Sequence, residues 1–206
     1  MIMQVKFISN LKLFLYIFAG LIFCNIGNTN DIHEYEIEGI SIGDSLLEYL
    51  KEEEIVKEIQ ENKFVYKNLS DVFGEVYLFD NFKKYDTLSF FVKSRDKNYN
   101  IYSISGNINY NNKFAECSNK QKEVEEEFSN LFPNAKKEYF THKIDVDPTG
   151  KSISQNVVFF FESGDNIQVN CTKYKTELKN QYNWVDSFMI ALNTKEITDW
   201  FDNPIN

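Results

Sequence analysis

The chain has 206 residues, of which 43% are hydrophobic and 16% aromatic. That is enough apolar material for one packed domain, or two small ones sharing a core, and it excludes a globally disordered chain. The formal charge is −9; residues 1–30 carry Lys6 and Lys12 and no acid, so residues 31–206 carry −11, a balance that repels phosphate backbones and argues against nucleic acid as a partner.

The first thirty residues read as an export signal, residues 1–30. Lys6 and Lys12 supply a basic start, and Leu13 to Cys24 is an uninterrupted apolar run, followed by polar Asn25, Asn28 and Asn30. The run has the length of a signal-peptide core, about 7–15 residues, and falls short of the roughly 20 needed to span a bilayer. Cleavage is expected between Asn25 and Asn30. The alternative is an uncut segment, residues 7–26, tethering the protein to the inner membrane, and this is the one route by which the chain is expected to meet a membrane. Cys24 admits lipidation, but Phe23 precedes it where a small residue is normal.

With residues 1–30 removed, two cysteines remain, Cys117 and Cys171. An even count in an exported chain reads as a bridge, because the compartment is oxidising. No metal site is expected, because His33 and His142 are the only histidines and stand apart from any ligand-spaced partner.

Asp31 to Ile40 alternates charged and apolar residues, as a short strand does. Gly39 and Gly43 bracket a turn. Ser41 and Asp44 fit the Ser-x-x-acid pattern of a helix start, which predicts one helix over 42–50 and a second over 52–61, with Glu52, Glu53 and Glu54 on the second helix's positive end. The run Gly39-Ile40-Ser41-Ile42-Gly43-Asp44-Ser45-Leu46-Leu47 resembles the opening of a group of small exported proteins of AT-rich marine bacteria, which share a signal peptide, a G-x-S-I-G-D-S-L-L motif and a later cysteine-bearing helix. The heavy use of Lys, Asn, Ile, Phe and Tyr agrees with an AT-rich coding bias. This resemblance implies export and no known activity. The motif is similar, more loosely, to the helix start in small lipoprotein subunits of outer-membrane assembly machinery, a likeness of shape only.

From Lys63 the pattern turns to strands, beginning at Phe64 and Tyr66 and continuing through Val76 and Leu78, then Thr87–Lys93. Arg95-Asp96-Lys97-Asn98 is a polar turn, and Tyr99–Tyr110 is the next strand, with Gly106 expected to mark a bulge. Asn112 to Phe132 is predicted as a helix with an apolar stripe through Phe114, Cys117, Gln121, Val124, Phe128, Leu131 and Phe132, stopped by Pro133. Strands follow at Tyr139–Val146, at Ser152–Glu162 (read as a central strand), at Ile167–Cys171 and at Trp184–Asn193. The turn Asp147-Pro148-Thr149-Gly150 separates the first two. Thr194 caps a last short helix.

These elements predict an α+β fold, antiparallel sheet with helices packed on one face, in a single exported domain of residues 31–206 that divides into two similar strand-helix-strands halves, 31–98 and 99–206. No catalytic motif is present, so catalytic residues are not assigned and no cofactor is expected. The reading is an exported, periplasmic or secreted, non-enzymatic structural or binding protein whose partner is a protein or a small ligand. The alternative is a periplasmic hydrolase or small-ligand-binding protein with a carboxylate-lined cleft. A concave site with two buried carboxylates favours an enzyme, and a filled sheet favours a binding module.

Overall fold

The computed structural model describes residues 32–63, 66, 68–79 and 82–203. The export signal over 1–30, Cys24 and Phe64 lie outside the described residues.

The chain folds as α+β around one seven-stranded antiparallel sheet. Its strands are β3 (Phe73–Leu78), β4 (Thr87–Lys93), β5 (Ile101–Asn109), β6 (Lys136–Lys143), β7 (Ile153–Phe160), β8 (Asn166–Lys173) and β9 (Ser187–Asn193). Their spatial order is β3-β4-β5-β9-β8-β7-β6. Two meanders therefore meet at β5 and β9, and the boundary expected at 98/99 falls in the turn between β4 and β5, within one continuous sheet. A separate hairpin pairs β1 (Glu36–Ile37) with β2 (Ile40–Ser41). Its turn residues Glu38 and Gly39 both have positive φ, 55° and 84°, the mirror-image turn that matches the twist of a two-residue hairpin.

The expected helix over 42–50 is reduced to a single 3-10 turn, Leu46–Glu48. Ser41 caps nothing. Its backbone N–H instead donates to Asp44 Oδ2 at 2.8 Å, and the segment is drawn into extended contact with the start of β5: Gly43 N–H donates to Ile101 O, Ile101 N–H to Asp44 O, and Leu46 N–H to Tyr99 O. The Gly39–Leu47 motif thus acts as a clasp on the sheet. The second helix forms as α1 (Glu52–Asn62), its first turn acidic. Tyr66 lies in a turn, not a strand, because the chain must double back from α1 to enter β3.

The cysteine-bearing helix is α2 (Phe114–Leu131). It lies on β8 and β9, and Cys117 and Cys171 form a disulfide with a Cα–Cα distance of 5.9 Å. One turn further along, Gln121 donates from Nε2 to two strand carbonyls, Gln155 O at 2.8 Å and Val169 O at 3.0 Å. This explains a buried amide on an apolar stripe: it ties the helix to two adjacent strands.

Alternation sorts the strands into two faces. One face gathers Val76, Leu88, Phe90, Ile104, Val157, Phe159, Ile167, Val169, Cys171, Phe188, Ile190 and Leu192 into the main core under α1 and α2. Gly106 belongs to this face. It marks no bulge, since the register shift lies at Phe91/Val92; a Cβ on Gly106 would sit 2.5 Å from the ring of Tyr85, so the glycine makes room for an aromatic side chain. One helix was not expected, and another lies on the second face of the sheet. The short α3 (Thr176–Tyr182) follows β8, where no helix was expected, and Trp184 falls in the loop after it, ahead of β9. The last helix, α4 (Lys195–Asp202), is capped by Thr194, whose side chain accepts from Ile197 N–H, and it covers one end of the other face. There Ile197 and Trp200 join Phe73 and Phe91 in a second cluster.

The two edges of the sheet differ. On β3, Glu58 of α1 accepts the N–H of Tyr77 at 3.3 Å and Asn62 donates to the carbonyl of Glu75 at 3.4 Å. On the opposite edge, β6 is exposed along nearly its whole length, and among the described residues its outer backbone has no partner. The apolar run of β7, read as a central strand, is therefore second from an edge.

Candidate functional site

The face of the sheet away from α1 and α2 is built from polar residues at alternate positions. Reading across the strands, one row holds Tyr77, Ser89, Ser105, Ala191, Gln168 and Val158. The next holds Thr87, Asn107, Met189, Asn170, Asn156 and Phe140. Glu75, Ser89, Ser103, Ser105, Ser154, Asn156, Asn166, Asn170 and Thr172 are all buried here, although no helix lies over the middle of the face. They are buried because they are short and sit below taller neighbours. Antiparallel sheets twist and coil, and Tyr174, just past β8, acts electrostatically on Tyr77 of β3 across the three strands between them.

The floor is wired internally. Ser89 and Ser105 share a 2.7 Å hydrogen bond. Ser103 donates to Asn193 Oδ1 at 2.7 Å, Asn193 Nδ2 to Asn166 Oδ1 at 3.0 Å, and Asn166 Nδ2 to Thr198 Oγ1 at 2.8 Å. Gln168 Nε2 donates to Asn156 Oδ1 at 2.8 Å, and Thr172 Oγ1 to Ser154 Oγ at 3.2 Å. Among the described residues no fully enclosed side-chain nitrogen or oxygen lacks a partner. Asn170 stands apart. It is 9% exposed, and its amide makes no hydrogen bond with any described residue.

Among the described residues Glu75 is the one buried carboxylate of this face. Tyr66 Oη donates to it at 2.5 Å, and the hydroxyls of Tyr77 and Ser89 lie close enough to favour its charged form. Burial pushes its carboxyl above the usual range, and the three hydroxyls only partly oppose this. Burial, together with the adjoining Glu75 charge, raises the phenols of Tyr66 and Tyr77 well above their ordinary value. Glu75 is thus enclosed by these hydroxyls, which suits a structural post better than a group that exchanges protons with substrate.

The other two buried carboxylates, Asp147 and Asp186, are placed elsewhere. They stand at the end of the sheet, by a cleft of about 800 Å³ lined by Asn112, Phe114, Lys151, Lys173, Tyr174, Lys175, Thr176, Glu177, Lys179 and Asp186. Lys175 Nζ binds Asp147 Oδ1 at 2.9 Å and Lys179 Nζ binds Asp186 Oδ1 at 2.7 Å. Burial opposes ionisation of Asp147, but hydrogen bonds from Thr149, Lys175 and Ser152 outweigh it and hold the carboxyl below the usual range. The cleft is largely balanced from within. The Asp147–Gly150 turn is closed by Asp147 itself, which accepts from the backbone of Thr149 and Ser152. This cleft thus holds two buried carboxylates, as the alternative reading asks, each of them paired with a lysine.

Of the residues singled out in the sequence, Cys117 and Cys171 are brought together. His33 Nδ1 faces Ile42 O at 3.4 Å, and His142 is exposed on β6, directly opposite Ser154 of the floor in the β6–β7 register. Trp200 is packed in the second cluster. Trp184 is half-buried between the rings of Tyr174 and Tyr182, at centroid distances of 4.9 and 4.8 Å, and Tyr174 also lines the lysine-rich cleft. The floor itself was missed. Its signal was present as the uncharged polar residues at every second position, Ser154 and Asn156, then Asn166, Gln168, Asn170 and Thr172, a pattern that also describes an ordinary solvent-facing strand side.

The chain matches no protein-family profile, no curated protein sequence and no solved structure.

Proposed function

We propose that this chain is an exported binding module that holds its ligand on the open face of the seven-stranded sheet. The observation that supports this reading is the chemistry of that face. A sheet side that serves only solubility carries long charged residues facing water. This one carries buried uncharged amides and hydroxyls joined to one another, an arrangement suited to selecting a partner by hydrogen bonds. Export is supported by the basic and apolar segment at the start of the chain and by the Cys117–Cys171 bridge, which belongs to an oxidising compartment. The likeness of Gly39–Leu47 to exported proteins of AT-rich marine bacteria points the same way. Among the described residues no helix is long and apolar enough to cross a membrane.

The test is mass spectrometry of the protein recovered from its native host. An intact mass short of about 25–30 residues, gaining the mass of two hydrogens on reduction, is expected. A full-length mass with free thiols sinks export. Under native conditions the same protein should carry a bound molecule that Met189→Arg, a long cation in the middle of the floor, expels. Identical bare masses for the two proteins sink the binding module.

A further inference from the structure

We infer that Asn170 is the residue that reads the ligand, and that the ligand is a small neutral saccharide. This deepens the proposed function and rests on it. Each buried amide and hydroxyl of the floor except Asn170 is engaged by a protein partner, so the face offers one unspent amide near its middle. In the free protein water satisfies that amide, and a ligand must replace the water with equivalent hydrogen bonds.

Three features of the surroundings define the replacement. Asn170 lies between Met189 and Asn156 in the register, with Gln168 and Thr172 two residues away on the same side of β8. All five are uncharged, so a charged group placed there would lose its hydration without meeting a counter-charge. A primary amide presents a donor and an acceptor side by side, the complement of adjacent hydroxyls on a pyranose ring. The sheet's own backbone hydrogen bonds are closed across this region, so only side chains are available for recognition. That suits a polyol and excludes the addition of a peptide as a further strand. The last feature is the flat wall. Tyr174 lies two residues beyond Thr172, Trp184 packs between it and Tyr182, and Tyr182 is exposed, so this aromatic stack offers the outer ring of Tyr182 to the C–H face of a sugar and reports on it through the indole beneath. Along β8 the step from Asn170 to Tyr174 spans about 13 Å, the reach of one or two sugar rings.

The full chain is titrated with glucose, N-acetylglucosamine and their β-1,4-linked disaccharides, following indole fluorescence and the side-chain amide resonances of Asn170. The expected result is a saturable change in Trp184 emission together with a shift of the Asn170 amide pair. Asn170→Ala should weaken binding at least tenfold with the unfolding midpoint unchanged, and Trp184→Leu should abolish the emission change. Saccharide binding of equal strength in wild type and Asn170→Ala overturns the role of Asn170. A response to N-acetylglycinamide but to none of the sugars overturns the ligand class. Either of these results leaves the binding module standing, because that reading fails only if Met189→Arg changes nothing bound by the native protein.

Discussion

Val169 and Asn170 are neighbours in β8, both enclosed, and they belong to opposite chemistries. Val169 faces α2 and is fully buried in the main core. Asn170 faces the open side, where the enclosed groups are amides and hydroxyls. The same alternation runs through the other inner strands, so one set of backbone hydrogen bonds carries two surfaces. The packed face is stabilised by removal of apolar area from water, about 25 cal/mol per Å². The open face gains little from burial, because each polar group there exchanges a bond to water for a bond to protein. Stability is therefore concentrated on one side of the sheet, and the other side is free to differ.

The largest expected effect comes from removing the staple of the packed face. Replacing Cys117 and Cys171 with serine opens a loop of 54 residues of sequence separation, for which chain entropy gives a loss of about 4 kcal/mol. Urea unfolding of wild type and double variant measures it, and a loss below about 1 kcal/mol would contradict the pairing's stabilising role. Next is Ile167→Ala, which empties a fully buried site of the packed face and is expected to cost about 2–5 kcal/mol. Asn170→Ala on the same strand should change stability by no more than about 0.5 kcal/mol, as it breaks no protein hydrogen bond. If the two variants unfold alike, the division between faces is wrong. Thr194→Ala removes the cap of α4 and should cost about 1 kcal/mol, loosening the one patch of the open face that is covered, visible as faster hydrogen exchange at Ile197 and Trp200.

The smallest effect is a slope with pH. Glu75 has its carboxyl raised by burial, so between the unfolded value, about 4.3, and the higher folded value the native state keeps a proton that the unfolded state has released. Stability therefore falls as pH rises through that window and is level outside it. Asp147, lowered in the fold, acts with the opposite sign: its contribution is present above the unfolded value of about 3.9 and fades as the solution is acidified. Glu75→Gln should remove the first slope and leave the second, as read from unfolding midpoints across pH. Equal slopes in wild type and variant would show that Glu75 is ionised in the fold without penalty.

Most of the packed face was legible in the sequence. Thr87–Lys93 forms a strand over the expected residues, and the stripe through Cys117, Gln121 and Val124 faces the core, because alternation and three-four spacing are direct records of burial. The bridge was readable because two cysteines leave one pairing. The clasp at Gly39–Leu47 was misread as a helix start, since Ser41 and Asp44 satisfy each other as well in a turn as at a cap. Gly106 was misread because the contact that requires it comes from Tyr85, twenty-one residues earlier. The floor around Asn170 was invisible for a different reason. Burial of a polar strand side depends on the coiling of the whole sheet, and no local pattern encodes that.

The unequal edges of the sheet carry a consequence for self-association. A sheet with two open edges can add copies without end, which is the geometry of a fibril. Here the Glu58 and Asn62 side chains occupy two backbone groups of β3, at Tyr77 and Glu75, so among the described residues β6 is the more open edge. Two copies joined through β6 would consume both of these open edges and leave only the partly occupied ones, which disfavours further growth by this route.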